Sequence, residues 1–419
     1  MKIALIGFGA AAIGFLERIK NEDHEIHIFE KSKDIYSSSI SGIRADGKLF
    51  VSKEMGGSID IDIKLQKKMV DFYTSHVDSH NIERGNSFKD KTFYRKFYEK
   101  GFMPIASQFF HIGTDQLKKV LFHIFENYKT HPNLHFHFNQ EIKDIDIMAG
   151  KILLGGKSTP FDAAVVAVGR SGHKLVNKII KKSPELITDN TKVDLGIRFE
   201  LPNLIVDELN KEMYEFKVKY KCKTGYMVRT FCNNPSGFVV TENYNDFITV
   251  NGHAKLREKS KNTNFAILTT VSLTEPFDDP VGYGSYIAKL TNILTAANKV
   301  ILQTYDRFRQ SKRSKHVYRV KPTLNNDKFI LGDINLAYPR RVIESIIDFI
   351  ENLDKVVHGV ANPDNLVYAP EIKFYSNKMD NAKLANLKFI GDCSGHTRSI
   401  IYASSHGYMM ADSLLKDNK

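Results

Sequence analysis

Cysteine is scarce. Cys222, Cys232 and Cys393 are the only three in 419 residues. Three thiols cannot build a disulfide framework, which excludes a small stapled scaffold. None forms a C-x-x-C pair, so a zinc ribbon or dithiol redox motif lacks support. Long apolar runs are missing too. The opening MKIALIGFG is broken by glycine too early for a signal segment, and no later stretch reaches ~18 uninterrupted apolar residues. No membrane span is therefore expected, and the expected location is the cytoplasm. There is no internal repeat, low-complexity linker, P-loop, Ser-His-Asp order or paired-carboxylate spacing above background.

The composition present is that of a globular chain, 42% hydrophobic and 26% charged, which excludes disorder as the main state. At about 150 residues per domain, two or three domains are expected. The 60 basic residues outnumber the 48 acidic ones, a net charge of +12. Such an excess can attract nucleic acid, an anionic membrane or an acidic cofactor, or it can reflect lysine used for solubility. The densest run is Lys312, Arg313, Lys315, His316, Arg319 and Lys321, with Tyr318 inside it. No nucleic-acid motif surrounds it, so a nucleic-acid partner is not expected.

The chain begins as strand, turn, helix, strand: Lys2 to Ile6, then Ala10 to Lys20, then Glu25 to Phe29, a βαβ unit. A helix is expected over 61–78, and Thr114 reads as the N-cap of a helix from Asp115 to Tyr128. Leu134 to Phe138 alternates like a strand with His135 and His137 on one face. An H-x-H pair can hold a metal, but no carboxylate or cysteine cluster joins it in sequence. The wetter face of a strand is preferred, and no metal site is expected. Strand-like runs follow at Glu141 to Ile147, Lys151 to Leu154 and Ala163 to Val168. From about residue 190 the texture becomes mostly antiparallel β, with helices resuming at 284–310, 340–358 and from Ile400 to Lys416.

The chemistry is written first in Gly7-Phe8-Gly9-Ala10-Ala11-Ala12, a G-x-G-x-x-A loop between strand and helix. Gly7 permits the tight turn, Gly9 lets the backbone approach a pyrophosphate, and Ala12 lets the helix pack closely on the sheet. The helix N-terminus presents free N–H groups and the positive dipole end to the anion. Glu30 lies 23 positions after Gly7, at the end of the second strand, where a carboxylate accepts hydrogen bonds from a ribose diol. Lys31 follows it directly. This register predicts dinucleotide binding.

Two later stretches narrow the dinucleotide. Ala167-Val168-Gly169-Arg170 resembles the glycine turn near the nucleotide in flavoproteins with two dinucleotide-binding domains. Gly391-Asp392-Cys393-Ser394-Gly395 resembles their second flavin motif, in which the aspartate serves the ribityl or pyrophosphate region. Further matching residues are Asp46-Gly47-Lys48, Gly56-Gly57, Gly113-Thr114-Asp115, Val193 to Arg198, Arg229 to Gly237, Val250 to His253, Pro370 to Tyr375, and Gly391 to Ala411. Over most of its length the chain resembles the bacterial FAD-dependent dehydrogenases, related to glutathione-reductase-like NAD(P)/FAD-dependent oxidoreductases. Ala12 in place of the usual third glycine is a mild departure.

The resemblance implies an α/β fold: an FAD/NAD(P)-binding, Rossmann-like parallel sheet with an inserted β-rich substrate domain. Its FAD-binding domain would comprise 1–190 and 366–419, with a substrate or cap domain at 191–365. FAD would be held by Gly7, Gly9, Ala10, Ala11, Ala12, Glu30, Lys31, Lys48, Gly169, Arg170, Gly391, Asp392, Arg398, Ser399 and Ile400. The implied activity is hydride transfer between flavin N5 and a small organic substrate. No second strand–GxGxxG–helix unit is present, since Gly155-Gly156 and Gly282-x-Gly284 lack that context. NADH or NADPH would then donate transiently without a Rossmann unit of its own, or the substrate or a redox partner would reduce the flavin. Four residues are catalytic candidates. Arg398 adds a cation to the helix end that stabilises charge near flavin N1 and O2. Cys232 is either a substrate-facing thiol or a small buried cysteine at a strand end. His253 is either an acid–base group or a satisfied loop histidine. Lys373 shares a strand face with Glu371 and Tyr375 and either serves the reduced flavin or is an ordinary strand residue. The rival expectations are a flavoprotein that modifies RNA or peptide, and a non-catalytic flavin-binding sensor.

Overall fold

The structure is a computed structural model. It describes every residue except 37–46, 79–81, 87–91, 106–107, 147–149, 190–191, 245, 256–257, 275–278, 297–298, 376, 384 and 418–419. Asp46 and Ile147, both named from sequence, lie outside the described residues. The chain is a mixed α/β protein that divides into two compact units. The first is Met1–Arg84, Ser107–Asn190 and Ser376–Lys419; the second is Gly85–Ala106 and Thr191–Tyr375.

In the first unit a five-stranded sheet runs in the order Leu387–Phe389, Ala163–Val166, Lys2–Ile6, Glu25–Phe29, Leu134–His137. Every neighbouring pair is parallel. The central strands read as continuous apolar runs because both sheet faces are covered. Ile3 and Leu5 enter one core cluster, while Ala4 and Ile6 enter another on the opposite face. Helix Ala10–Ile19 buries Ile13, Phe15, Leu16 and Ile19. Each such side chain contributes roughly 1.5–3 kcal/mol of burial energy. That helix meets the C-terminal helix Ile400–Asp417 backbone to backbone. A Cβ added at Gly14 would lie 1.8 Å from the Ser404 carbonyl oxygen, and one at Gly407 would lie 2.0 Å from that of Ala11.

The second unit is built on an eight-stranded sheet. Its order is Phe329–Leu331, Val300–Thr304, Leu366–Phe374, Lys192–Pro202, Asn262–Ser272, Met227–Asn234, Val218–Lys221, Phe102–Pro104. All pairs are antiparallel except the first, which is parallel. The unit reaches past the expected 191–365 because Leu366–Phe374 pairs along Lys192–Pro202, and because Phe102–Pro104 adds to Val218–Lys221. Strand Lys192–Pro202 alternates strictly. Val193, Leu195, Ile197, Phe199 and Leu201 join an apolar core with Val342, Ile346 and Phe349 of helix Arg340–Asp354. Asp194, Arg198 and Glu200 lie on the other face, yet they are buried as well.

Two local expectations are corrected. The helix expected over 284–310 is interrupted by strand Val300–Thr304, flanked by helices Pro280–Ile293 and Tyr305–Arg309. Its VILQT run is wholly buried and pairs with 366–369, so sheet burial overrides a helical reading. Thr114 does not cap a helix. The helix runs Gly113–Lys129 with Ile112 at the cap position, and the Thr114 hydroxyl is buried with no partner among the described residues. Among the described residues, no helix is long and apolar enough to cross a membrane.

Candidate functional site

The glycine loop after the first strand is held by contacts that require small residues. Gly7 has φ +94°, and a Cβ there would lie 2.7 Å from the Ala167 carbonyl oxygen. The Gly7 N–H donates to the Phe29 carbonyl at 2.8 Å. Gly9 is extended and no side chain caps the helix, so the first-turn amides of Ala10, Ala11 and Ala12 keep no side-chain acceptor. Ala12 is wholly buried. Ala11 matters more than the motif suggests, because a Cβ at Gly391 would come within 2.6 Å of its own Cβ.

Glu30 is buried and already engaged. Its Oε2 accepts the Phe8 N–H at 3.0 Å, and Oε1 accepts the Ser32 N–H at 2.9 Å and the Ser32 hydroxyl at 2.6 Å. The carboxylate therefore pins the glycine loop to the end of the second strand, a role the spacing alone does not reveal. Four lone-pair positions less three bonds leave one, on Oε2. Lys31 beside it is exposed.

The second and third turns come to the same place. Gly169 takes φ +58° at the start of a short turn of helix, Arg170–Gly172. Arg170 Nε lies 3.4 Å from Asp392 Oδ2, and the Thr397 hydroxyl donates to Asp392 Oδ1 at 3.0 Å. Burial pushes the Asp392 carboxyl up, while the charges of Arg170 and Arg398 and the Thr397 hydrogen bond pull it back. Gly391 has φ +71° and abuts Ala11. Its N–H donates to Nδ1 of buried His406 at 3.3 Å. Burial pushes that imidazole down to about 3, so it is neutral and can accept. Cys393 is buried, bonds the Val166 and Ile390 carbonyls at 3.1 Å, and has its thiol pushed up to about 12 by burial. It packs; it does not attack.

The start of the C-terminal helix is fixed from the other side. The Arg398 N–H donates to the Gly56 carbonyl at 2.7 Å, and Gly57 bridges Thr397. A Cβ at Gly56 would enter the Tyr402 ring at 2.2 Å. The Gly56-Gly57 pair is thus a contact for Thr397-Arg398, a partnership sequence reasoning left unassigned. The Ser399 hydroxyl accepts the Tyr402 N–H at 3.3 Å, leaving Ile400 and Ile401 as the first amides of that helix. The Arg398 side chain is exposed. Lys48 is not in a loop, as its place after the βαβ unit suggested. It opens strand Lys48–Val51, pairs with His111 and is buried.

Three catalytic candidates lie in the second unit, around one buried ion pair. Arg198 is wholly inaccessible and binds Glu371 bidentately, Nε to Oε2 at 2.7 Å and Nη2 to Oε1 at 2.6 Å. The same guanidinium donates to the Cys232 carbonyl at 2.9 Å and to Asn251 Oδ1 at 3.0 Å. Cys232 itself takes φ +51°, an uncommon conformation for a residue with a side chain. Lys373 Nζ sits 3.2 Å from Glu371 Oε1. His253 ends strand Ile248–His253, two residues beyond Asn251. Alongside runs a second pair. Burial pushes the Asp194 carboxyl up, but Arg229 and the Thr270 and Tyr375 hydroxyls hold it below its usual range. Beside the Arg198 guanidinium, Asn234 Oδ1 and Asn264 Nδ2 are buried with no partner among the described residues. The basic run 312–321 is an irregular segment whose Lys312, Arg313, Lys315, His316, Tyr318 and Arg319 are exposed, anchored by buried Ser314 and Val320.

No curated protein matches the chain in sequence. Among solved structures, 2,6-dihydroxypyridine-3-hydroxylase from Arthrobacter nicotinovorans is 9% identical with a TM-score of 0.42, covering 100% of this chain and 83% of its own. 2-Methyl-3-hydroxypyridine-5-carboxylic acid oxygenase is 11% identical with a TM-score of 0.39, covering 100% and 86%. CtdE in complex with FAD is 9% identical with a TM-score of 0.37, covering 100% and 86%. Likenesses of this size carry no functional assignment. Residues 193–373 match a sequence family described as FAD-dependent protein, C-terminal domain-like.

Proposed function

We propose that this protein is an FAD-dependent oxidoreductase that transfers a hydride between flavin N5 and a small organic molecule. The observation that carries the reading is the convergence of three sequence-distant turns: Gly7 against Ala167, Gly391 against Ala11, and Arg170 on Asp392. The family match of residues 193–373 supports it independently. The residues present fit the group. Two helix N-termini, at Ala10 and Ile400, have first-turn amides suited to phosphate oxygens and to the flavin ring, and Glu30 has one lone-pair position left for a ribose hydroxyl. When bound, FAD supplies hydride exchange at N5.

The chain's own residues do the rest. Glu30 keeps the glycine loop in its binding conformation while accepting the ribose. Asp392, held by Arg170 and Thr397, orients the ribityl or pyrophosphate region, and Arg398 adds positive charge at its helix end. Lys48 and Lys31 complete the proposed cofactor set. The first unit serves as the FAD-binding domain, in a cytoplasmic enzyme related to the glutathione-reductase-like flavoproteins. The second unit selects the substrate, with His253 as acid or base, and with Cys232 and Lys373 positioned through the Arg198–Glu371 pair. NADH or NADPH is the proposed transient donor. Anaerobic titration of the FAD-loaded protein with NADH and NADPH, followed at the flavin band, tests the reading. Bleaching by a nicotinamide and recovery with an acceptor is expected. A bound flavin that no donor reduces would replace the enzyme with a sensor.

A further inference from the structure

The face of the parallel sheet that carries Phe29 also gathers imidazoles from two neighbouring strands. His27 and His135 are parallel-register partners on Glu25–Phe29 and Leu134–His137, the latter being the edge strand. Glu25 lies two residues before His27 and on the same face. Glu25 Oε1 is 2.8 Å from His27 Nε2 and 3.9 Å from His135 Nε2, and one ligand atom from each of the three lies within 4.8 Å of the others. The carboxylate missing beside H-x-H in the linear sequence is thus supplied by the adjacent strand. We propose that Glu25, His27 and His135 form a binding site for a divalent transition-metal ion of the zinc class, unrelated to the flavin chemistry.

Two imidazoles and one carboxylate suit zinc, cobalt, nickel or copper rather than magnesium or calcium, and they leave a fourth position for water or another ligand. Four-coordinate zinc with bonds near 2.0–2.1 Å needs its ligand atoms about 3.3 Å apart. The two distances from Glu25 Oε1, 2.8 and 3.9 Å, bracket that value, and with all three ligand atoms within 4.8 Å of one another, rotation of the exposed side chains closes the set around an ion. His137 provides the supporting contact. Its Nε2 lies 2.9 Å from His27 Nδ1, and the two rings stack with 6° between planes. In the metal-free state His27 donates from Nε2 to Glu25 and accepts from His137. Metal binding at Nε2 moves the His27 proton to Nδ1, which then donates to His137, whose own proton moves to Nδ1. No net proton is gained or lost by the pair, and the arrangement is the usual second contact of a ligating histidine. Lys2 is the cation facing the cluster, its Nζ 5.5 Å over the Phe161 ring. Its charge opposes any cation bound at the cluster, so the ligands must outweigh that repulsion.

The test uses untagged full-length protein titrated with Co²⁺ and Zn²⁺. Expected are saturation at one equivalent, visible four-coordinate cobalt bands without thiolate charge-transfer absorption, and a Zn²⁺-dependent rise in Tm. Glu25→Gln and His135→Gln, both at half-exposed positions, should weaken binding at least about 100-fold while leaving the metal-free melt unchanged. His137→Phe, which keeps the ring stack, should weaken it about 10–100-fold and alter the cobalt spectrum. Absence of saturable binding to the wild type overturns the proposal. So does binding that Glu25→Gln and His135→Gln leave intact, or cobalt bands of thiolate type. None of these outcomes depends on whether the protein holds FAD.

Discussion

Acidification should destabilise this protein through one buried histidine. His406 lies beneath the Gly391 turn, accepts that glycine's N–H, and is held down to about 3 against an ordinary 6.5. A second proton would sit on Nδ1, facing the Gly391 donor in a buried space, so the folded state refuses it. The unfolded chain takes that proton near 6.5, so below this value the unfolded state binds more protons and stability falls with pH. The contribution is fully present above the unfolded value and is lost as pH falls toward about 3. Between about pH 7.5 and about pH 5.5 the loss from this group alone is about 1.4 kcal/mol. Urea melts of the wild type and His406→Asn across that range isolate the term, because an asparagine oxygen can still accept from Gly391 but does not titrate. Wild-type stability should fall by about 1.4 kcal/mol more than that of the variant. Parallel pH curves for the two proteins would refute the buried neutral imidazole.

Arg198→Met should cost about 3–5 kcal/mol in urea unfolding, because it leaves the Glu371 carboxylate buried without its guanidinium; adding Glu371→Leu should recover part of that loss. Gly14→Ala puts a methyl into the Ser404 carbonyl and forces the two helices apart, so its unfolding free energy in urea should drop by about 1–3 kcal/mol, as is typical of overpacking. With a disulfide reagent at mildly alkaline pH, the native protein should react at Cys232 and spare Cys222 and Cys393, whose thiols burial pushes up to about 12. Equal reaction of all three in the native state would contradict that burial.

The βαβ start was legible because its signals are local. Strands of continuous apolar residues, glycines at the turn and an acid at the second strand's end all stand within 30 residues of one another. The antiparallel texture after residue 190 was legible for the same reason, through alternation. What sequence could not give was the second partner of each residue. Glu30 reads as a ribose ligand, yet most of its lone pairs hold Phe8 and Ser32. Gly14 and Gly407 look like indifferent helix glycines until the two helices meet. Asp194, Arg198 and Glu200 are buried, which the sequence does not reveal, because alternation cannot tell a polar face in water from one buried against its own counter-charges. Thr114 failed as a cap because the helix begins at Gly113, two residues before the expected Asp115. Glu25 and His27 escaped notice beside His135 because the parallel register that joins them spans over 100 residues of chain.

The glycine loop, the Gly169 turn and the Gly391 turn are proposed together to hold FAD. This is tested most directly by the visible spectrum of the purified protein, with mass identification of whatever small molecule heat releases. Expected is a yellow protein that releases FAD, with the pigment weakened in Gly391→Val, where a side chain would strike Ala11. A protein that is colourless, and stays colourless after incubation with free FAD, would contradict it.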